Sequence, residues 1–505
     1  MDAISELLKL LNSNEKKLFK QFLKEKNTRT DVKNLALLKL IETDDINSTN
    51  KLYNSQKNND AYHALRKRLQ DNLLLFLSQK AFESNNSDTY DALRLVVVAR
   101  FLLENDIPKI AFKCLDKAER LAIQLEQFNL LNELLLLKLQ YAHLPGAEAL
   151  DALTTRFTQN QQAMQREAKL NIAYAFLRQG LQQIHLQGKI VNLTDLVITT
   201  IRKYRIAMEE LMTYKSVYQI LFIASEYADI QRNYALIERF VAQAGSFIQS
   251  QSLKKHAYTF HHIGILYFLA NFYLRQKDFA RSTSYLAAMA ELMAIDNRYH
   301  AQYYSRHQLL TALNLFYNGR ADDAIALLQQ PLADKKAKAK PEDTEDLRIC
   351  LAMFLALTNN RASLKQLSLL TRTDAWYEKH MGMLWIIRKN LMEILVQAQF
   401  GNIEPAMSRL NSFRRRYNKY LVKTSEQRVL QFLKLVEKHL MKPDLIHEAA
   451  YRKSVLGLLD TEGSNDIFTL NFIAWLIARW EKKTAYEIAL GIISNKHHEH
   501  HFDNC

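Results

Sequence analysis

The sequence predicts an all-α chain, an α-solenoid of antiparallel helix pairs with helical caps at both ends, and three observations predict it. Gly and Pro are scarce, 11 and 6 among 505 residues, while Leu, Ala, Gln, Lys and Glu dominate. Few turn residues and many helix formers argue against a β-rich fold. Apolar blocks of helix length alternate with short polar breaks, and the breaks recur at near-regular intervals. One residue marked just inside each second helix gives Ala111, Ala149, Leu193, Ile237, Ser282, Ala324, Leu364, Ala406 and Ala449. The successive separations are 38, 44, 44, 45, 42, 40, 42 and 43, with a mean close to 42. Such a period is the signature of a helical repeat array. Each unit of an array contacts only its neighbours, so length alone does not set the number of domains.

Residues 1–83 read as a separate helical segment. Ile4–Leu11 is a short amphipathic helix punctuated by Asn12-Ser13-Asn14, where Ser13 and Lys16 fall one residue type short of a capping box. Glu15–Glu25 carries the stripe Leu18, Phe19, Phe22 and Leu23, and Val32–Ile41 is a third helix. Thr43–Asn59, rich in Asn, Asp and Ser, reads as loop with a short helix. Ala61–Phe82 is long, with Tyr62, Leu65, Leu69, Leu73 and Phe76 at helical spacing. Residues 1–80 hold 15 basic against 10 acidic side chains. The segment suits a cap on the end of a solenoid, which an array requires, or a helix-turn-helix head.

Ser84–Asp88 is a polar linker into the array, which runs over 88–464. Its breaks fall at Asp106-Ile107-Pro108, Pro145-Gly146, Gly188, Arg232-Asn233, Gln276-Lys277-Asp278, Asn318-Gly319-Arg320, Asn359-Asn360, Gly401-Asn402 and Lys442-Pro443-Asp444. Pro108, Pro145, Pro405 and Pro443 fit turns or first helical turns, where a missing N–H costs nothing. Pro331 and Pro341 bracket a charged insert, so no proline is expected inside a helix. Residues 465–495, with Phe468, Phe472, Trp475, Leu476 and Trp480 on an apolar face, read as C-terminal capping helices. The polar, His-rich residues 496–505 read as a disordered tail.

The clearest unit is 266–289, LYFLANFYLRQKDFARSTSYLAAM, with Ala270, Tyr273, Asp278, Phe279 and Tyr285. Residues 92–118, 308–331 and 394–413 repeat parts of it through Ala312, Gly319, Ala324, Gly401 and Ala406. This pattern resembles the tetratricopeptide superfamily over roughly residues 90–465. The resemblance implies a right-handed superhelix whose groove takes an extended or helical partner segment. The period here exceeds that family's ~34 residues, so the family's ligand-contacting positions are not carried over.

No catalytic, cofactor or metal residues are expected, and the chain reads as non-enzymatic. No two glycines stand closely enough for GxGxxG or a P-loop. His447–Tyr451, HEAAY, has Tyr451 where a zinc-binding helix needs its second His. The adjacent His261 and His262 point about 100° apart on a helix and do not share a ligand. His497, His498, His500 and His501 lie in the tail and lack a fixed geometry. Cys114, Cys350 and Cys505 form no CxxC pair, which suits a reducing, cytoplasmic setting. No apolar run reaches the ~18 residues of a membrane span, and the N-terminus shows no signal-peptide pattern.

The concentrated chemistry is basic. The net charge is +15 and the pI about 9.4, a balance that favours acidic partners. Within 409–442 stand Arg409, Arg414, Arg415, Arg416, Lys419, Lys423, Arg428, Lys434, Lys438 and Lys442, opposed only by Glu426 and Glu437. Arg415, Lys419 and Lys423 stack at i, i+4, while Phe413, Tyr417 and Leu421 take another face and Tyr420 lies between. The candidate partner-binding residues are Arg414, Arg415, Arg416, Lys419, Tyr420, Lys423, Arg428, Lys434 and Lys438. They suit an acidic protein or peptide, phosphates with Tyr420 stacking on a base, or a plain solvated face. The leading expectation is a protein- or peptide-binding scaffold or adaptor. The second is a regulator that binds nucleic acid through 409–442 or the N-terminal segment.

Overall fold

The computed structural model describes residues 3–9, 11–26, 33–42, 59–84, 88–187, 193–204, 213–231, 233–250, 258–295, 297–333, 340–423, 426–459 and 466–499. Among these every regular element is helical and no strand occurs. The chain divides into two compact units, Met1–Gln161 and Gln162–Cys505. The division falls inside the helix Leu150–Gln187, not at residue 83 or 464.

In the first unit, Ala3–Lys9, Ser13–Glu25, Lys33–Glu42 and Asn59–Ser84 share one core built on Ile4, Leu8, Phe19, Leu23, Leu37, Leu38, Leu69 and Leu73. The second of these helices begins one residue earlier than a Ser13 cap implies. Asn12 Oδ1 accepts from the Asn14 and Glu15 amides, and the Asn12 amide donates to Glu15 Oε2 at 2.7 Å, so Asn12 and Glu15 form the capping box. A second core joins Asp88–Glu104, Pro108–Gln124 and Phe128–Gln140.

In the second unit, helices pack as sequence-adjacent pairs. Thr259–Arg275 packs on Phe279–Met293, Asn297–Tyr317 on Ala321–Ala333, Pro341–Leu357 on Ala362–Ser368, and Met383–Gln399 on Ile403–Lys423. The first helices of successive pairs also pack on one another, with Tyr214–Gln231 continuing that row. One turn recurs between partners, of three residues or four, with a middle residue in the left-handed region: Lys277, Gly319, Asn359 and Gly401, which stand 42, 40 and 42 residues apart. Each makes the same two bonds. Gly319 N–H donates to Phe316 O and Arg320 N–H to Leu315 O, a Schellman closure repeated at Lys277, Asn359 and Gly401. Asp106 and Glu126 close the first unit's turns in the same way. Five residues beyond the turn, Ala111, Ser282, Ala324 and Ala406 are fully buried, and twelve residues before them so are Ala99, Ala270 and Ala312. Small residues let the paired backbones approach, and Ser282 Oγ donates to Ala270 O at 2.8 Å across one such pair.

Several expectations need correcting. Pro331 lies inside Ala321–Ala333, near its last turn. Where two helices were expected between Ala149 and Gly188, one helix of 38 residues, Leu150–Gln187, runs unbroken, and Ala149 is exposed just outside it. The backbone of the tail stays helical through Glu499, including His497 and His498. Most of Thr43–Asn59, residues 85–87 of the linker, Gly188 and residues 500–505 lie outside the described residues. Ile467–Ile477 is apolar on every side and buries Ile467, Leu470, Asn471, Ile473, Ala474, Trp475, Leu476 and Ile477. A helix of that kind must be enclosed rather than laid on a surface. No described helix is long and apolar enough to cross a membrane.

Candidate functional site

Ile467–Ile477 lies against the row of first helices in the second unit, and four of them hold it. Asp466 caps it, accepting from Thr469 N–H at 3.2 Å. The other carboxylate oxygen of Asp466 accepts from Arg275 Nη1 at 2.5 Å, and Arg388 stands 3.7 Å away. Burial pushes the Asp466 carboxyl up, but Arg275 and Arg388 outweigh it and hold the group below the ordinary aspartate range. Arg275 also lies over the rings of Phe468 at 4.5 Å and Tyr234 at 5.2 Å. One turn on, Asn471 Nδ2 donates to Tyr317 Oη at 2.6 Å and contacts Met353 Sδ at 3.2 Å. Another turn on, Trp475 Nε1 donates to Gln399 Oε1 at 3.1 Å. The following helix, Ala485–Glu499, adds Tyr486 Oη donating to Phe316 O at 2.6 Å.

Beyond Phe468 and Phe472 the row stays open as a cavity of about 750 Å³. Leu309, Leu313, Ile349, Met353 and Met392 form its apolar wall, while Arg178, Glu226, Asp229, Asn271, Arg388 and Lys389 supply polar groups. A smaller cavity of about 250 Å³ shares Tyr267, Leu309, Asp346, His380, Met381 and Trp385 with it. Both volumes suit ligand or side-chain binding. Asp346 stands at the junction. Trp385 Nε1 donates to its Oδ1 at 2.7 Å. Burial pushes this carboxyl up to about 7, with Asp343 and Glu345 reinforcing the shift and the Trp385 bond and Arg306 opposing it. Burial likewise lifts the Tyr267 phenol to about 12.

The basic stripe is partly neutralised by its own fold. Arg414 makes a bidentate pair with Glu437 at 2.6 Å, and Arg416 pairs with Glu378 at 2.8 Å. Arg409 pairs with Glu393. Arg415 contacts Ser412 Oγ at 3.3 Å and stays exposed, as do Lys419, Lys423, Lys434 and Lys438. Phe413, Tyr417 and Leu421 are buried beneath them. Tyr420 is half-buried. Arg428 departs from the stripe and lines a small cavity beside Phe472 and Ile473. The structure therefore leaves Arg415, Lys419, Lys423, Lys434 and Lys438 as exposed cations and engages Arg414 and Arg416 internally.

Other sequence candidates settle into structural roles. His447 ends the 3₁₀ turn Pro443–His447 ahead of the helix that carries Tyr451, and Tyr451 Oη donates to Leu435 O at 3.0 Å. His262 is buried, and burial together with Lys215 lowers the neighbouring His261 imidazole to about 4. In the first unit Asp116, Glu119 and Glu148 bring carboxylate oxygens within 4.8 Å of one another. Lys138 Nζ bonds all three, at 2.5, 2.6 and 2.6 Å, so an ammonium already stands where their charges converge.

Sequence reasoning passed over Arg275, Asp346, Trp385, Arg388 and Asp466. Two signals point to some of them. Glu342 and Asp346 stand at i, i+4 just after Pro341, and Asp466 precedes a stretch, IFTLNFIAWLI, that is apolar at every helical phase. No family profile matches the chain, and no similar protein is found among curated proteins or solved structures. The fold itself defines the class: an all-helical chain of adjacent helix pairs, compatible with a helical repeat.

Proposed function

We propose that this chain is a non-enzymatic scaffold or adaptor, a tetratricopeptide-like solenoid that binds a polypeptide segment in the groove of its second unit. One observation carries the reading: the row of first helices already encloses a helix, Ile467–Ile477, and about 750 Å³ of the same row lies open beyond it. A surface that seats one helix through apolar contact and spaced polar bonds is the kind that seats another. The test is selection of helical peptides by display on the full chain, followed by Leu309→Trp, which fills the apolar wall. Peptides that lose at least about tenfold in affinity on this substitution, with an unchanged melting temperature, support the groove. Peptides that bind equally well to the variant refute it.

A second reading rests on the five exposed cations Arg415, Lys419, Lys423, Lys434 and Lys438, which suit nucleic acid or an acidic protein. Nucleic-acid binding through them would weaken steeply with salt and vanish in Arg415→Glu/Lys419→Glu. Insensitivity to both would remove that reading.

A further inference from the structure

Arg306, His380, Lys389, Arg275 and Arg388 line the two joined cavities, each beside a carboxylate. Arg306 Nε bonds Asp343 at 3.1 Å, His380 pairs with Glu342 at 3.2 Å, and Arg348 Nη1 lies 3.5 Å from Glu345. Tyr377 Oη donates to Glu345 as well, at 3.0 Å. Lys389 is held between Glu393 at 3.1 Å and Asp374 at 3.7 Å. Arg275 and Arg388 are taken by Asp466. Of the carboxylates that line the smaller cavity, Glu342, Asp343 and Asp346, only Asp346 has no such partner. Among the described residues no cation lies within ion-pair distance of it, and its one hydrogen bond comes from the neutral indole of Trp385. Yet it lines both cavities, as Tyr267 and Trp385 do.

We infer that Asp346 anchors a basic side chain, the guanidinium of an arginine or the ammonium of a lysine, projected from a polypeptide lying in the groove. The inference rests on the peptide-binding reading and names the chemistry its partner carries. Asp346 is half-buried; a carboxyl so placed without a counter-ion is an incomplete arrangement, and an incoming cation completes it with a charge-assisted bond. The shape agrees with this. The larger cavity has an apolar wall for the aliphatic face of a segment and borders Ile467–Ile477 through Phe468 and Phe472. The smaller cavity, about 250 Å³, has room for a side-chain stem, and its lining includes Tyr267 and Trp385, residues of the kind on which a cation packs. Arg306 and His380 do not compete for the carboxyl, because Asp343 and Glu342 hold them.

Two probes test it on the full chain by ligand-observed NMR and calorimetry. The first compares n-butylguanidinium with n-butylurea, its uncharged isostere. Wild type should prefer the cation by at least about tenfold, and Asp346→Asn should reduce that preference to near unity. The second probe takes the groove-dependent peptides from display and replaces each Arg by citrulline and each Lys by norleucine. At one position the loss should appear in wild type and be absent in Asp346→Asn. Equal binding of cation and urea, or a preference that survives in Asp346→Asn, overturns the assignment. If no groove-dependent peptide is recovered while the small cation is still preferred, the polypeptide reading fails and the cation seat stands. If peptides bind but no basic position matters, the polypeptide reading stands and the anchor fails.

Discussion

Replacing Asp346 with Asn should make the second unit more stable at alkaline pH, and the size of the gain follows from the site. An aspartate carboxyl ordinarily ionises near 3.8, and burial pushes Asp346 up to about 7. Between those values the native state keeps the proton that the unfolded chain has lost. Native protein then binds more protons than unfolded, so stability falls as pH rises through this window. Above it the penalty is constant at ~4 kcal/mol, of which ~2–3 kcal/mol accrues between about pH 5 and about pH 8.5. Asparagine still presents an oxygen to the Trp385 indole and carries no charge to desolvate. The assay is urea denaturation of both proteins at the two pH values, followed by tryptophan fluorescence. All four tryptophans, Trp376, Trp385, Trp475 and Trp480, lie in the second unit, so the signal reports that unit alone. The variant should be the more stable at about pH 8.5, with the gap shrinking by ~2–3 kcal/mol toward about pH 5. Parallel pH trends, or a variant less stable than wild type at alkaline pH, would refute the uncompensated carboxyl.

Three further outcomes are expected. Gly401→Ala should cost ~1 kcal/mol, because an added Cβ meets no atom within 4 Å and the penalty is left-handed backbone strain alone; a denaturation midpoint showing a loss above ~3 kcal/mol would point to a packing role instead. Lys138→Met should destabilise the first unit by ~3–5 kcal/mol, since Glu119 stays buried with Asp116 and Glu148 beside it. In Lys138→Ala the three carboxylates surround a vacated position, and millimolar Mn²⁺ should raise the melting temperature of that variant and not of wild type.

The recurring turns were legible in the sequence because they are local. A left-handed residue at the helix end favours Gly, Asn or Asp, and Gly319, Asn359, Gly401 and Asp106 supply it. Lys277 and Glu126 adopt the same geometry without the residue type that announces it. The helix Leu150–Gln187 was not legible as one piece, because Pro145-Gly146 marks its start and no strong breaker stands inside to distinguish one long helix from two. The exposed face of 409–423 could be read from its i, i+4 spacing. The loss of Arg414 and Arg416 to ion pairs could not, because Glu437 and Glu378 come from other helices. The surroundings of Asp346 and Asp466 could not be read for the same reason. The partner of Asp466 is Arg275, 191 residues away, and Asp346 is distinctive only through what its neighbours do with their charges.

The enclosed C-terminal helix bears on where a partner can bind. An 11-residue helix is about 16 Å long, and this one reaches from Arg275 to Gln399 across four first helices. Its polar bonds are spaced along the chain at Asp466, Asn471 and Trp475, and together they reach Thr259–Arg275, Asn297–Tyr317 and Met383–Gln399. Sliding it by one turn would leave the Arg275 guanidinium, the Tyr317 hydroxyl and the Gln399 amide without their present partners, and buried polar groups left unpaired are costly. Register is therefore specified while the apolar contacts supply most of the driving force. That division of labour fixes the filled part of the row, and under the proposed function recognition would fall to the part beyond Phe468. There the wall is again apolar, and Asp346 stands where a register-setting bond would be expected, with its counter-charge missing.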